Sequence, residues 1–299
     1  MYISVIIVSY NTCELLKECL ISIKSATDNL KVEVFVSDNN SSDNTVRMIK
    51  NDFGWVNLIA NRQNLGFSKA NNRAIKKAKG KYLLVLNPDT RLFKNTLSQM
   101  IKFMDTNKDI AVATCRIELP SGQLDKDCRR MYPTPWRAFA HFSGLSKIFA
   151  GSKLFDQYQM GYIPEDIEHE VESCLGAFMF VRSTAVKKVG LFDEDFFFYG
   201  EDLDWCYRFR EAGFKIVYTP TAKIVHYKGA ASGIKPLSVN LSKATQKSKI
   251  RALKESTRAM ELFYKKHYFG KYPVVLTWLV IFAVKILEKY RIFKVSHSL

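Results

Sequence analysis

Four carboxylates and one imidazole stand at positions that suit divalent-cation binding and acid–base chemistry. Asp89 follows the apolar run LVL in the segment LVLNPD, and His226 follows shortly after a second predicted strand. Glu201, Asp202 and Asp204 follow the aromatic run FFFY at the start of a predicted helix. Carboxylate oxygens bind Mg²⁺ or Mn²⁺ beside substrate phosphates, and an imidazole ligand favours Mn²⁺. An acid with a shifted pKa could instead act as a general base.

Each of these signals also has a structural explanation. Asn-Pro-Asp is a common turn sequence, acids at a helix N-terminus complement the helix dipole, and a lone histidine is often structural. The segment RQNLGFSKANN, residues 62–72, offers a cation, amides and a helix N-terminus to a phosphate group. It lacks the Gly-Lys-Ser/Thr ending of a phosphate-binding loop, and no GxGxxG follows the first strand.

The N-terminal part of the chain alternates predicted strands with predicted helices. Strands are predicted at residues 3–9, 32–37, 56–60 and 82–86, and helices at 14–24 and 68–79. This alternation predicts an α/β fold with a doubly wound, mostly parallel sheet. Ligands of such sheets bind beyond the carboxyl ends of the strands. The polar groups that follow the four strands should therefore meet in one crevice.

The rest of the chain is less regular and divides into a middle and a tail. Residues 120–172 are predicted to form loops and short helices around the mouth of the crevice. A strand at 177–182, a helix at 202–212 and a strand at 215–218 follow. Helices are predicted at 243–267 and 274–287. We expect a domain at residues 1–235 and a basic, amphipathic helical tail at 236–299.

The tail carries most of the positive charge. The formal net charge is +16, and residues 243–299 contain 13 Lys and Arg against three Glu. Val274–Val284 holds no charge, but a helix of this length rises about 16 Å and cannot cross a bilayer core of about 30 Å. Flanking cations and aromatic rings favour a helix lying in a membrane interface. The alternative is a helix that packs on the main domain or on another subunit, so an oligomer is possible.

The sequence disfavours a secreted protein and a nucleic-acid-binding protein. The six cysteines form no CxxC pair, and the N-terminus shows no basic, apolar leader, which predicts free thiols in the cytosol. No zinc-finger, RNP or helix-turn-helix signature accompanies the positive charge, so nucleic acid is not an expected partner. We expect a cytoplasmic protein, peripheral at the inner face of the plasma membrane.

Six segments in a fixed order resemble the family 2 glycosyltransferases with the GT-A fold. They are VIIVSYN, SDNNSSDNT, NLGFSKANN, LVLNPDT, the long segment that begins GAFMFVR and contains GEDLDW, and HYKG. Within that family the chain is most similar to the rhamnosyltransferase-like branch of bacterial surface polysaccharide synthesis. The resemblance extends from the N-terminus to about residue 233 and implies a nucleotide-binding GT-A domain.

The resemblance also assigns roles by position. It implies Asp202 as the catalytic base, with Glu201 and Asp204 beside it, and Asp89 and His226 as metal ligands. It implies an acceptor contact at Trp205. Asn87 stands where the family commonly has the first acid of a DxD metal motif, which leaves Asp89 as the main anionic ligand. The implied nucleotide and donor contacts are Val8, Tyr10, Asp38, Arg62, Asn87, Gly176 and Ala177.

The predicted reaction is an inverting transfer of a sugar from a nucleotide-diphosphate sugar, with dTDP-rhamnose favoured. The implied cofactor is Mg²⁺ or Mn²⁺, and the implied acceptor is a hydroxyl of a saccharide or lipid-linked saccharide. Two alternatives remain at this point: a UDP- or GDP-hexose donor, and a non-catalytic GT-A protein that binds a nucleotide or glycan.

Overall fold

The computed structural model describes residues 2–27, 29–229 and 246–297. Within these ranges the chain forms one mixed sheet of nine strands with helices around it. The strands are β1 (Ile3–Ser9), β2 (Val32–Asp38), β3 (Val56–Ala60), β4 (Tyr82–Leu86), β5 (Thr90–Leu92), β6 (Ile110–Glu118), β7 (His169–Glu170), β8 (Phe178–Arg182) and β9 (Lys215–His226). The helices are α1 (Cys13–Ala26), α2 (Thr45–Asp52), α3 (Gly66–Ile75), α4 (Thr96–Thr106), α5 (Pro135–Phe142), α6 (Leu145–Ile148), α7 (Ser183–Val189), α8 (Glu201–Glu211), α9 (Gln246–His267) and α10 (Val274–Ser296).

The sheet has the order β3-β2-β1-β4-β8-β6-β9-β5, with β7 paired to β9. The pairs β1–β2, β1–β4 and β2–β3 are parallel, as the alternation of strands and helices predicts. β8 is antiparallel to both β4 and β6, whereas β6 and β9 are parallel. Every residue of β1 is buried, because helices cover both faces of this central strand. The ends of β1, β2 and β4 therefore open at one edge, where the predicted polar clusters lie.

Three predicted elements differ from the structure by four or more residues at one end. The helix predicted at 68–79 is α3, which ends at Ile75. Gly80 lies beyond this helix: its amide donates to Ser4 Oγ (2.8 Å), and a Cβ at Gly80 would lie 2.5 Å from the Ser4 nitrogen. The strand predicted at 215–218 is β9, which continues to His226, and the last helix continues to Ser296.

The helix α9 packs on the sheet domain through an aromatic cluster and ion pairs. The cluster contains Tyr132, Phe196, Tyr207, Phe263, Tyr264 and Tyr268. His267 Nε2 lies 2.8 Å from Asp204 Oδ1, and the Lys266 ammonium pairs with Asp193 and Asp195. The predicted domain boundary at 235/236 and the predicted helix start at Lys243 fall outside the described residues. The described part of the predicted tail is thus fastened to the sheet domain at α9.

Among the described helices, none is both long enough and apolar enough to cross a membrane. α10 has 23 residues, but its second half carries Lys285, Glu288, Lys289, Arg291 and Lys294. One side of α10 packs on α9, where Thr257 Oγ1 donates to Glu288 Oε2 (2.8 Å). The other side leaves large apolar side chains in solvent.

Candidate active site

The pairing of β5 with β9 brings Asp89 and His226 together. The two strands are antiparallel, with Thr90 opposite His226, and the Tyr227 amide donates to the Asp89 carbonyl (2.8 Å). His226 Nε2 consequently lies 3.4 Å from Asp89 Oδ1, with both side chains buried. Residues that are 137 positions apart in the chain thus share one corner of the sheet edge because of strand register.

Asp125 holds the other nitrogen of the imidazole. Asp125 Oδ2 lies 3.3 Å from His226 Nδ1, and the Lys228 ammonium contacts both Asp125 and Asp127. Burial lowers the pKa of His226, but the carboxylates of Asp89 and Asp125 outweigh burial and raise it to about 9. A carboxylate on one imidazole nitrogen orients the other nitrogen, here toward Asp89.

Asp89 and His226 fit a divalent cation that is shared with a substrate. Asp89 Oδ1 is buried and accepts no hydrogen bond in the part of the chain that the structure describes, and the His226 imidazole faces it at 3.4 Å. Within the same residues, no group of three or more His, Cys, Asp or Glu side chains could enclose a metal. Two protein ligands are few, but Mg²⁺ and Mn²⁺ commonly take their remaining ligands from water and substrate phosphates.

The N-terminus of α8 holds the Asp202 carboxylate in a fixed position. Asp202 Oδ2 accepts hydrogen bonds from Arg130 (2.8 Å) and from the Gly176 amide (3.1 Å), and Oδ1 accepts from the Leu203 amide (2.8 Å). Arg130 reaches this position because its backbone pairs with Ser173 in an isolated bridge. The Asp202 carboxylate is therefore buried, ion-paired and oriented by three donors.

Glu201 lies beside Asp202 in a different environment. Glu201 Oε2 is buried without a hydrogen-bond partner among the described residues. Burial raises the pKa of Glu201 to about 8, and the charge of Asp202 acts in the same direction. The two adjacent acids thus differ in environment: Glu201, whose pKa is raised, has no hydrogen-bond partner at Oε2 among the described residues, whereas Asp202 accepts from a guanidinium.

The loop before α3 is locked against the aromatic segment before α8. Gly66 has φ +81°, and a Cβ there would lie 2.5 Å from the Phe197 carbonyl oxygen. The Phe67 amide donates to this carbonyl (2.7 Å), and Asn39 Nδ2 donates to the Gly66 carbonyl (2.9 Å). The segment at residues 64–66 therefore connects the end of β2 with the residues before α8, and together they form one wall.

One cavity of about 550 Å³ lies between these groups. Asp89, Asp202 and His226 all line it, so the carboxylates and the imidazole predicted from distant segments face one space. The predicted site residues on its wall are Val8, Tyr10, Asn87, Asp89, Gly176, Ala177, Glu201, Asp202 and His226. Their roles in binding and catalysis stay predictions.

Four predicted site residues do not line this cavity. Both Asp38 carboxylate oxygens accept from Ser41, and Arg62 is exposed outside the cavity wall. Asp204 is buried between Arg208 (2.8 Å) and His267 (2.8 Å), which gives it a structural position rather than a catalytic one.

The predicted acceptor contact at Trp205 is wrong. Trp205 is 0% exposed, its indole nitrogen donates to the Gly190 carbonyl (2.9 Å), and its ring packs on Phe192 and Phe209. One helical turn along α8 carries the chain from the cavity into the core, so Trp205 cannot reach a bound acceptor.

Several cavity residues were not predicted from the sequence. Arg130, His141 and Tyr158 line the cavity from the irregular middle segment, and Lys228 follows β9. Asp125 supports His226 from behind. The sequence shows the adjacent pair Arg129-Arg130, but nothing in it pairs either arginine with Asp202.

Comparison with known proteins gives the same family. The profile described as Glycosyl transferase family 2 matches residues 4–176. N-acetylglucosaminyl-diphospho-decaprenol L-rhamnosyltransferase of Mycobacterium tuberculosis (strain H37Rv) is 27% identical over 245 residues, covering 78% of each chain. Rhamnosyltransferase WbbL of Escherichia coli (strain K12) is 26% identical over 234 residues, covering 75% of this chain and 82% of the relative.

Solved structures support the fold. The crystal structure of GalNAc-T7 with UDP, GalNAc and Mn²⁺ has a TM-score of 0.56 and 17% identity, covering 88% of this chain and 50% of that chain. The crystal structure of S. aureus TarS 1–349 has a TM-score of 0.52 and 16% identity, covering 96% and 81%. At these identities the likeness establishes the GT-A fold and not a substrate. Since the family profile covers more than half of its residues, the chain belongs to glycosyl transferase family 2.

Proposed function

We propose that the protein is an inverting glycosyltransferase that transfers rhamnose from dTDP-rhamnose to a hydroxyl of a lipid-linked saccharide during cell-surface polysaccharide synthesis. One observation carries the proposal: Asp202 and the pair Asp89–His226 face a single cavity on a GT-A sheet. The rhamnosyltransferase names of two relatives that align over most of their length support the donor.

The proposed roles follow from the hydrogen bonds of each group. Arg130 and the Gly176 amide hold Asp202, which leaves its carboxylate oriented to accept the proton of an acceptor hydroxyl. The hydroxyl oxygen attacks the anomeric carbon, the bond from that carbon to the donor phosphate breaks, and one displacement inverts the anomeric configuration. Asp89 and His226 would hold Mg²⁺ or Mn²⁺, which supplies positive charge for the leaving diphosphate.

The protein is proposed to work at a membrane surface, because α10 exposes a long apolar face. Val275 is 72% exposed, Trp278 68% and Phe282 63%, and the row continues to Phe293. The neighbouring helix α5 also carries exposed aromatic residues, Trp136 and Phe139, and it touches α10 where the Arg291 guanidinium sits 5.7 Å above the Phe142 ring. Apolar patches of this size mark interaction surfaces, and the Lys and Arg residues along α10 favour anionic lipid.

A panel of nucleotide sugars tests the donor. Thermal shifts measured with Mn²⁺ present should be largest for dTDP-rhamnose, since a ligand that binds only the folded state raises its stability. A larger shift with a UDP- or GDP-hexose would assign the alternative donor. Binding without transfer to any acceptor, in the presence of Mg²⁺ or Mn²⁺, would favour the non-catalytic alternative. Loss of transfer on treatment with EDTA, restored by Mn²⁺, is expected if Asp89 and His226 are metal ligands.

A further inference from the structure

The helix α9 forms one side of the reaction cavity over about 20 Å, the rise of the 13 steps from Arg251 to Tyr264. The character of this wall changes along the helix. Arg251, Ala252, Glu255 and Ser256 line the first part, and Ala259, Met260, Phe263 and Tyr264 line the second. The first part of the cavity wall is thus mainly polar, and the second is apolar except for the Tyr264 hydroxyl.

The apolar section begins beside the catalytic acids. A Cβ on Gly200, the residue before Glu201, would lie 3.1 Å from Ala259 Cβ. Val280 and Val284 of α10 are one helical turn apart and close this section from a second side, and Phe142 of α5 closes it from a third. We call this space, lined by Ala259, Met260, Phe263, Val280, Val284 and Phe142, the apolar chamber.

A sugar or diphosphate is a poor occupant for the apolar chamber. Hydroxyl and phosphate oxygens would leave water without gaining hydrogen bonds from alkyl and phenyl groups, which is costly. A hydrocarbon chain would gain free energy there by leaving water. The chamber also lies on the side of α10 opposite the row from Val275 to Phe293, so it adjoins the surface proposed to contact lipid.

A cation lies where α5 meets α10, at the edge of the chamber: the Arg291 guanidinium sits 5.7 Å above the ring of Phe142. Burial lowers the pKa of the neighbouring His141, while among the nearby charges Asp127 and Asp156 raise it and Lys147 and Arg291 lower it. Arg291 is partly buried and forms no ion pair with a residue in the described ranges. An apolar chamber with an unpaired guanidinium at its edge is complementary to a hydrocarbon chain that ends in a diphosphate.

We propose that the apolar chamber binds the hydrocarbon segment next to the diphosphate of the lipid-linked acceptor, with Arg291 facing the diphosphate. This inference rests on the proposed function for the identity of the acceptor. The apolar chamber is then a binding site that distinguishes a lipid-linked saccharide from a free saccharide. The two faces of α10 have different partners. The inner face contacts the acceptor lipid, and the outer face contacts the bilayer.

The test compares binding of decaprenyl diphosphate, without any sugar, to variants of the full chain in detergent. Val284→Phe fills the chamber without adding charge, and Val280→Asp places a charge in it. Ala283→Asp is the matched control, because Ala283 is exposed on the outer side of the same helix turn. We expect about tenfold weaker binding for both chamber variants and unchanged binding for the control, since a hydrocarbon cannot solvate the charge. Thermal melting verifies that each variant is folded.

Turnover gives a second readout that separates this site from the proposed reaction. With N-acetylglucosaminyl diphosphate carried on decaprenol or on a short alkyl chain, Val284→Phe should raise KM for the long-chain acceptor only. Arg291→Gln should weaken binding of decaprenyl diphosphate more than binding of decaprenol. Unchanged lipid binding by folded Val284→Phe would overturn the apolar chamber as a lipid site. A wild-type protein that binds decaprenyl diphosphate but transfers no sugar would leave the chamber standing and reject the proposed function.

Discussion

Asp202 and Asp204 are two buried carboxylates on the same turn of α8 with different surroundings. Asp202 lines the cavity and accepts from Arg130, whereas Asp204 faces α9 and pairs with Arg208 and His267. Two residues along a helix correspond to a rotation of about 200°, which is why neighbours in sequence reach opposite sides. This pair allows a catalytic role to be separated from a structural one.

Asp202→Asn should lower kcat by about 10²–10⁴-fold, the usual contribution of a general base, while binding of the nucleotide sugar is kept. Asp204→Asn removes an equally buried carboxylate and should lower the melting temperature without a comparable loss of kcat. Steady-state kinetics of both variants, corrected for the folded fraction, measure the difference. Near-normal turnover in Asp202→Asn would reject its assignment as the base.

Glu201 makes stability depend on pH. Burial raises its pKa from the ordinary value of 4.5 to about 8, so between these values the folded protein keeps a proton that the unfolded chain releases. This contribution to the free energy of unfolding is complete below about pH 4.5 and is lost as pH rises toward about 8. Glu201→Gln, which is neutral at every pH, should be more stable than the wild type at pH 8. If the melting temperatures of the wild type and of Glu201→Gln change in the same way between pH 4 and pH 8, Glu201 is not protonated in the folded protein.

The residues that could be predicted were those at the ends of regular elements. Asp89 follows β4, His226 ends β9 and Asp202 lies in the first turn of α8. The pattern of strands and helices predicted Asp89 at the crevice, and the resemblance added His226 and Asp202. Arg130 and Asp125 lie in a segment without periodicity. Their positions depend on the bridge between Arg130 and Ser173 and on the hydrogen bond from the Asp125 amide to the Ile117 carbonyl, which no local pattern indicates. Trp205, which the resemblance implied as an acceptor contact, is buried in the core, and a match of sequence positions does not reveal the depth of a side chain.

At the scale of elements, the connection between the loop before α3 and the segment before α8 sets the width of the cavity. Gly66 contacts the Phe197 carbonyl so closely that a Cβ would lie 2.5 Å from it, at φ +81°. Gly122 has nearly the same φ, +82°, but no atom within 4 Å of a built Cβ. Replacing each of the two glycines by alanine therefore separates the effect of backbone strain from the effect of steric contact.

Gly122→Ala should lower the free energy of unfolding by about 1 kcal/mol, the cost of a left-handed residue with a Cβ. Gly66→Ala should lower the free energy of unfolding by about 1–3 kcal/mol more than Gly122→Ala does, because the Phe197 segment must also move. Urea denaturation measures both. A displaced Phe197 segment also alters the cavity wall, so KM for the donor should rise in Gly66→Ala and stay unchanged in Gly122→Ala. Equal stability of the two variants would mean that the contact with Phe197 is not tight.

The strands β1 to β4 could be predicted because each is a short stretch rich in apolar residues and bounded by polar residues. β5 has three residues and forms only through pairing with β9, which is long-range information. The same holds for the position of α9: its apolar spacing predicted a helix, but not that His267 and the aromatic cluster would hold it over the cavity. The part of the predicted tail that forms α9 is therefore one wall of the candidate site.

At the scale of the whole molecule, charge and apolar surface are concentrated on one side. Residues 243–299 contribute +10 of the formal net charge of +16, and the same segment carries the exposed row from Val275 to Phe293. Each Lys or Arg close to an anionic membrane adds about 1 kcal/mol of attraction, an interaction that salt screens within about 10 Å at 0.1 M. Burial of apolar side chains in lipid is not screened.

Binding to vesicles should therefore have two components that can be measured separately. Sedimentation with vesicles that contain anionic lipid should decrease as NaCl rises, whereas binding to neutral vesicles should be weaker and nearly independent of salt. Phe282→Glu on the outer face should reduce binding to both kinds of vesicle, because it removes apolar burial and adds repulsion. Its activity on the short-chain acceptor in detergent should be unchanged, since Phe282 points away from the apolar chamber. Unchanged sedimentation of Phe282→Glu, together with a concentration-dependent rise in mass in solution, would instead mean that the outer face of α10 packs on a second copy of the chain.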